Sequence, residues 1–195
     1  MTMPRYSEHP IAPQFLQRWS PRALNPTLSE AELRCCLEAA RWAPSSSNTQ
    51  PWRYVVARQG EPAFGAVLAA LLPFNQAWAH RAGALVVACS LTESVPTPEH
   101  PSKPLPGSAF DAGAAWMSLA LQAHALGLVA HAMGGFTREA LAQAIALPAQ
   151  GVRIDCVIAL GRPGDPAELP EDLRAREHPN GRRPFAELVK DGRWA

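Results

Sequence analysis

The sequence predicts an α+β fold in a single domain, on two observations. Runs of helical period at residues 27–41 and 111–126 stand between extended, β-branched or apolar runs at 52–57, 84–91 and 152–160. The 195 residues fit one domain and suffice to bury roughly 70% of the unfolded surface. An apolar content of 47% is that of a globular chain rather than a disordered one. With 18 basic and 17 acidic residues there is no charge excess to attract nucleic acid or an anionic membrane surface. No apolar run approaches the roughly 20 residues of a membrane span, and the first twenty residues lack the apolar core of a signal peptide.

In chain order, residues 1–12 carry Pro4 and Pro10 without periodicity and read as an N-terminal arm, with the domain at 13–195. Pro13 can open a short helix over 14–19. Ser29 with Glu32 three residues later is a capping-box pattern, and Leu33, Cys36, Leu37 and Ala40 then recur on one helical face. Trp52, Tyr54, Val55 and Val56 favour a strand, and 62–72 is apolar at helical spacing. Residues 84–91 form a continuous apolar run, as in a strand buried on both faces. Five prolines in 92–107 predict a long surface loop, a natural place for specificity to reside. Alanines throughout 111–126 would let neighbouring helices approach closely, placing this helix centrally or at a subunit interface. His124 within it reads as a packed histidine, with no ligand cluster around it. A helix starts after Thr137, a strand fills 152–160, and 166–178 reads as a polar surface excursion. Cys35, Cys36, Cys89 and Cys156 read as small buried residues in a reducing compartment, so the expected location is cytoplasmic.

Five short segments carry polar chemistry. In the first, Pro44 and Pro51 bracket Ser45, Ser46, Ser47, Asn48, Thr49 and Gln50, a loop dense in donors and acceptors. It could hold a polar ligand or merely connect a helix to a strand. The second is Arg18-Trp19-Ser20-Pro21-Arg22, whose three donors could grip an anion or simply be solvated around a turn. Asn75 could cap a short helix or contact a ligand. After Met133, Gly134 and Gly135 could let backbone amides approach a ligand without steric hindrance. Arg182 and Arg183 precede the last helical segment, where arginines are commonly solvated.

Taken together and in this order, the five segments resemble the FMN-dependent nitroreductase family over residues 18–190. A-P-S-S-S-N-T-Q-P-W resembles the family's signature loop, and Arg18, Ser20 and Arg22 match its R-x-S-x-R element, which contacts the FMN phosphate and ribityl chain. The resemblance implies that Asn75 bonds the flavin ring or ribityl. It also implies that Gly134 and Gly135 face the flavin, with a backbone N–H on N5, and that Arg182 or Arg183 meets the phosphate. One departure stands out: Trp78 occupies the position where well-known members carry a lysine near the flavin pyrimidine, a role Arg81 could take if it points inward. Thr137 stands where the family often has Asp and can still cap a helix.

The resemblance implies a mixed, mainly antiparallel sheet flanked by helices, in a domain-entwined homodimer whose two FMN sites draw on both subunits. It implies two-electron transfer by a ping-pong mechanism from NAD(P)H to a small-molecule acceptor such as a nitroaromatic, quinone or activated alkene. The flavin would carry the chemistry, so no catalytic side chain and no metal are expected. A flavin-binding protein of the same fold that stores or senses without efficient turnover is the alternative. The chain has no G-x-G-x-x-G after a strand and no P-loop, so no separate dinucleotide site is indicated.

Overall fold

The computed structural model describes residues 5–194. In chain order the elements are α1 (Pro13–Gln17), β1 (Leu24–Asn25), α2 (Glu30–Arg41), β2 (Trp52–Arg58), α3 (Pro62–Ala70), α4 (Pro73–Ala79), β3 (Ala84–Leu91), α5 (Ser108–Ala125), β4 (Val129–Met133), α6 (Arg138–Ala144), β5 (Val152–Pro163), α7 (Glu171–Arg174) and α8 (Phe185–Leu188). Strands β2, β3 and β5 lie side by side, β4 and the short β1 also pair with β5, and every one of these ladders is antiparallel.

The sheet divides the core in two, as the alternation along β3 dictates. Leu85, Val87 and Cys89 point toward α3, α4 and α6, among Phe64, Val67, Trp78 and Leu141. Ala84, Val86 and Ala88 point toward α2 and α5, among Leu33, Cys36, Leu119 and Ala123. Burial on both faces explains why this strand reads as an unbroken apolar run. Ala115, Ala120 and Ala123 are buried where α5 packs on α2 and on the sheet, so the alanine-rich helix is central.

The start of α2 is written in the sequence. Ser29 Oγ accepts from Glu32 N at 3.2 Å, and Ser29 N donates to Glu32 Oε2 at 3.0 Å, closing the capping box. Ser29→Ala is expected to cost about 1 kcal/mol, read as a drop in the urea midpoint with an unchanged slope.

Several local expectations differ from the structure. Cys35 is exposed on the outer face of α2 and Cys156 only half-buried, whereas Cys36 and Cys89 are buried. Burial pushes the Cys36 thiol up to about 12 and the Cys89 thiol up to about 11, which keeps both unreactive. Thr137 stands at the N-cap of α6, but its side chain makes no capping bond. The 166–178 excursion is anchored rather than superficial, because Leu169 and Leu173 are buried in the core cluster that also holds Leu24, Ala79 and Trp78. The 92–107 loop is largely exposed and closes on itself through a Glu93–Pro104 bridge. Of the N-terminal arm, residues 1–4 lie outside the described residues; the rest is tied down, with Glu8 accepting from Phe185 N at 2.8 Å and Arg5 donating to Arg18 O at 3.1 Å. No helix among the described residues is long and apolar enough to cross a membrane.

Candidate functional site

The segment between α1 and β1 forms one wall of a polar cavity of about 260 Å³. Arg18, Trp19, Ser20 and Arg22 line it, together with Arg5 from the arm, His131 from β4, and Arg176, His178, Asn180 and Arg182 from the C-terminal region. Five arginines therefore line one small space. Burial and the nearby Arg182 lower the Arg18 guanidinium pKa, and burial with Arg182 and Arg18 does the same at Arg5. Arg18 Nε and Arg5 Nη1 are buried and find no hydrogen-bond partner among the described residues. A cluster of unpaired donors and like charges is costly unless an anion joins it. No Asp or Glu is among the described residues that line the cavity, and a phosphate would supply the missing negative charge together with acceptor oxygens.

One carboxylate organises the wall. Glu177 Oε1 accepts from Arg22 N at 2.6 Å and from Ala23 N at 2.7 Å, and its side chain is almost fully buried. Its other oxygen lies 3.8 Å from the Arg22 guanidinium. Glu177 thus fixes the backbone turn that aims Arg22. Sequence reasoning missed this residue, because its partners lie more than 150 positions away.

His131 ties this wall to the rest of the site. Its Nδ1 lies 3.0 Å from the Pro21 carbonyl, which makes Nδ1 the protonated nitrogen, and its ring packs on Trp78 with centroids 4.6 Å apart. Burial lowers the His131 pKa, against the raising pull of its carbonyl bonds and of Glu177, while Arg22 adds to the lowering. An unfolded histidine titrates near 6.5, so between that value and the lower folded pKa the unfolded chain binds more protons. Stability is therefore expected to fall as pH drops below about 6.5. Melting temperatures taken from pH 8 to 5 should show this loss, and His131→Gln should flatten it.

β4 leads from His131 to Met133, which is buried, and on to the glycine pair. The two glycines differ in role. A Cβ on Gly134 would meet nothing within 4 Å, so its backbone borders open space. A Cβ on Gly135 would lie 2.7 Å from both Asn75 Nδ2 and Phe74 Cζ. Asn75 is buried inside α4 rather than at its cap, and its amide donates to Gly135 O at 3.0 Å. Trp78, one turn further on, is fully buried. Its indole fills core, so it supplies no cation in place of the family lysine. Nor does Arg81, which donates to Leu24 O at 3.2 Å and pairs with Glu168.

Of the two candidate C-terminal arginines, Arg182 lines the cavity. Arg183 is largely exposed, does not line it, and has Glu187 as its nearest carboxylate at 3.8 Å. The sequence holds no signal that separates them.

The Pro44–Gln50 loop does not reach this cavity within one chain. It leads into β2, and β3 and β5 separate β2 from β4, a span of roughly 14 Å at ordinary strand spacing. The loop has a fixed, unusual shape. Ser47, Asn48 and Gln50 all have left-handed backbone angles, with φ of 49°, 53° and 46°. Gln50 N donates to Ser45 Oγ at 3.0 Å, and Ser46 N to Asp111 Oδ2 at 3.2 Å. Ser46, Ser47 and Asn48 are exposed, and so is Pro44.

The arrangement matches known proteins. The profile of the nitroreductase family matches residues 16–162. A solved structure described as an oxidoreductase containing FMN superposes with a TM-score of 0.93 at 40% identity, covering 100% of this chain and 99% of that one. A 15.4 kDa protein of Mycolicibacterium smegmatis is 37% identical over 129 residues, covering 65% of this chain and 82% of its own length. An oxygen-insensitive NADPH nitroreductase of Helicobacter acinonychis is 43% identical over 65 residues, 33% of this chain and 30% of that protein. The chain belongs to the nitroreductase family.

Proposed function

We propose that the protein is an FMN-dependent oxidoreductase that passes two electrons from NAD(P)H to a small-molecule acceptor by a ping-pong mechanism. The single observation that carries this reading is the cavity lined by five arginines, two of which, Arg5 and Arg18, hold a buried donor without a partner among the described residues, which fits a phosphate. It is supported by the FMN in the 40% identical structure and by the NADPH in the name of the Helicobacter relative.

When bound, FMN supplies the redox chemistry, accepting two electrons from the nicotinamide and passing them to the acceptor. The residues bind and orient. Arg18, Ser20, Arg22 and Arg182 hold the phosphate end, with Trp19 at the cavity wall; Arg183 stays at the rim. Asn75 holds the Gly135 carbonyl, so that Gly134, bordered by open space, presents its backbone to the ring. Met133 backs this turn from the core. The Ser45–Asn48 segment, remote from the cavity in its own chain, completes the site of a second copy, making the working form a homodimer. Open space at Gly134 suits a flat acceptor: a nitroaromatic, a quinone or an activated alkene.

Anaerobic stopped-flow tests the reading. NADH or NADPH should bleach the absorbance of the FMN-loaded protein, and a quinone or nitroaromatic should restore it in a second, separate step. An FMN-loaded protein that neither nicotinamide bleaches would instead be a flavin-binding protein without turnover.

A further inference from the structure

The Ser/Asn loop holds three non-glycine residues in the left-handed region, a conformation that persists only where surrounding structure imposes it. The loop's internal bonds are few: Asn48 N to Ser45 O, Thr49 N to Ser46 O, Gln50 N to Ser45 Oγ and the Gln50 side chain to Asn48 O. They close the turn but do not attach it to the fold. Its far end is attached where Arg53 Nη1 donates to Gln50 O at 3.0 Å and Leu91 N donates to Pro51 O at 2.9 Å. Near its start the attachment is one bond, from Ser46 N to Asp111 Oδ2.

Asp111 has two favourable neighbours, the N-terminus of α5 and the Ser46 amide. It sits in the first turn of α5, is buried, and has no lysine or arginine within ion-pair distance among the described residues. A buried carboxylate without a cation costs stability, so its retention needs a return. The return is a charge-assisted hydrogen bond to the amide of the residue just before the strained pair Ser47–Asn48.

We infer that Asp111 is a positioning residue: it clamps the Ser46 amide and thereby holds Ser47 and Asn48 in the left-handed shape that the cofactor site of a second subunit requires. The inference rests on the FMN reading above for its consequence, but the clamp itself does not. By fixing the loop before the ligand arrives, Asp111 lowers the ordering cost of binding.

Four variants test it: Asp111→Ala, Asp111→Asn, Ser47→Gly, and Asp111→Ala with Ser47→Gly. Two readouts are taken, FMN affinity by fluorescence titration and hydrogen exchange of the 44–50 segment in FMN-free protein. Asp111→Ala should weaken FMN binding by about 10- to 100-fold, the worth of a hydrogen bond to a charged group, and speed exchange of the loop while the rest of α5 keeps its protection. Asp111→Asn, which keeps an acceptor oxygen, should remain within about fivefold of the parent. Glycine at 47 removes the backbone penalty, so the double variant should regain a large part of the affinity lost by Asp111→Ala.

Unchanged loop exchange in Asp111→Ala overturns the clamp, and so does a loss of affinity that Ser47→Gly does not recover. If Asp111→Ala does not fold, exchange at the Ser46 amide in Asp111→Leu, a side chain of similar size without an acceptor, decides instead, with no acceleration counting against the clamp. If the parent protein binds no FMN, the flavin reading falls, and loop exchange alone upholds or overturns the clamp.

Discussion

Arg18→Ala is expected to weaken FMN binding by roughly 100-fold while leaving the stability of the FMN-free protein unchanged or slightly raised. The two effects have one cause. In the free protein Arg18 is a half-buried cation near Arg5 and Arg182, with its Nε unpartnered and only a 3.3 Å contact from Nη1 to Ser20 Oγ. Removing it relieves repulsion and leaves no orphaned partner behind, because Ser20 can turn to solvent. In the complex the same group would hold a dianionic phosphate, where a bidentate guanidinium pair is worth several kcal/mol in a partly desolvated site. Isothermal titration with FMN, beside thermal melts of apo-protein, separates the two. Arg183→Ala serves as the control and should change affinity by less than about twofold, since its guanidinium is exposed and outside the cavity.

Gly135→Ala is expected to lower the melting temperature by about 4–10 °C, whereas Gly134→Ala should move it by about 1 °C at most. At 135 the added methyl would stand 2.7 Å from the Asn75 amide nitrogen and 2.7 Å from Phe74 Cζ. Asn75 is buried and bonded to the Gly135 carbonyl, so it cannot yield without breaking that bond. Forcing a methyl into such a contact typically costs 1–3 kcal/mol, which at this chain length is several degrees. At 134 nothing lies within 4 Å, and the substitution costs only what it does to a bound ligand. The pair therefore distinguishes packing from recognition: Gly135→Ala should lose stability with or without FMN, and Gly134→Ala should lose affinity only.

How much of this was legible in the sequence depends on the range over which each residue acts. Ser29 and Glu32 announce α2 because a capping box is local, and residues 84–91 announce β3 because burial on two faces leaves an unbroken apolar run. Arg18, Ser20, Arg22 and the glycine pair were visible as short motifs. The cavity that Arg18, Ser20 and Arg22 share with Arg182 was expected only through the family resemblance, since no spacing rule connects residues more than 100 positions apart. Glu177, His131, Arg5 and Arg176 were not legible at all. Each gains its role from a partner far along the chain, as Glu177 does from the Arg22 and Ala23 amides. The choice between Arg182 and Arg183 was equally closed to sequence, because it turns on which side chain faces the cavity and which faces Glu187. Trp78 shows the opposite lesson: its departure from the family pattern was plain, but only the structure shows that its indole fills core beside His131 and that Arg81 is engaged by Leu24 O and Glu168.

The most direct test is a side-by-side titration of the FMN-free protein with FMN and with riboflavin, which differ only in the phosphate. A site built on the Arg18–Arg182 cavity should bind one FMN per chain and hold riboflavin at least about 100-fold more weakly, with the preference shrinking as salt is raised. Equal affinity for the two, or no binding of either, would contradict it.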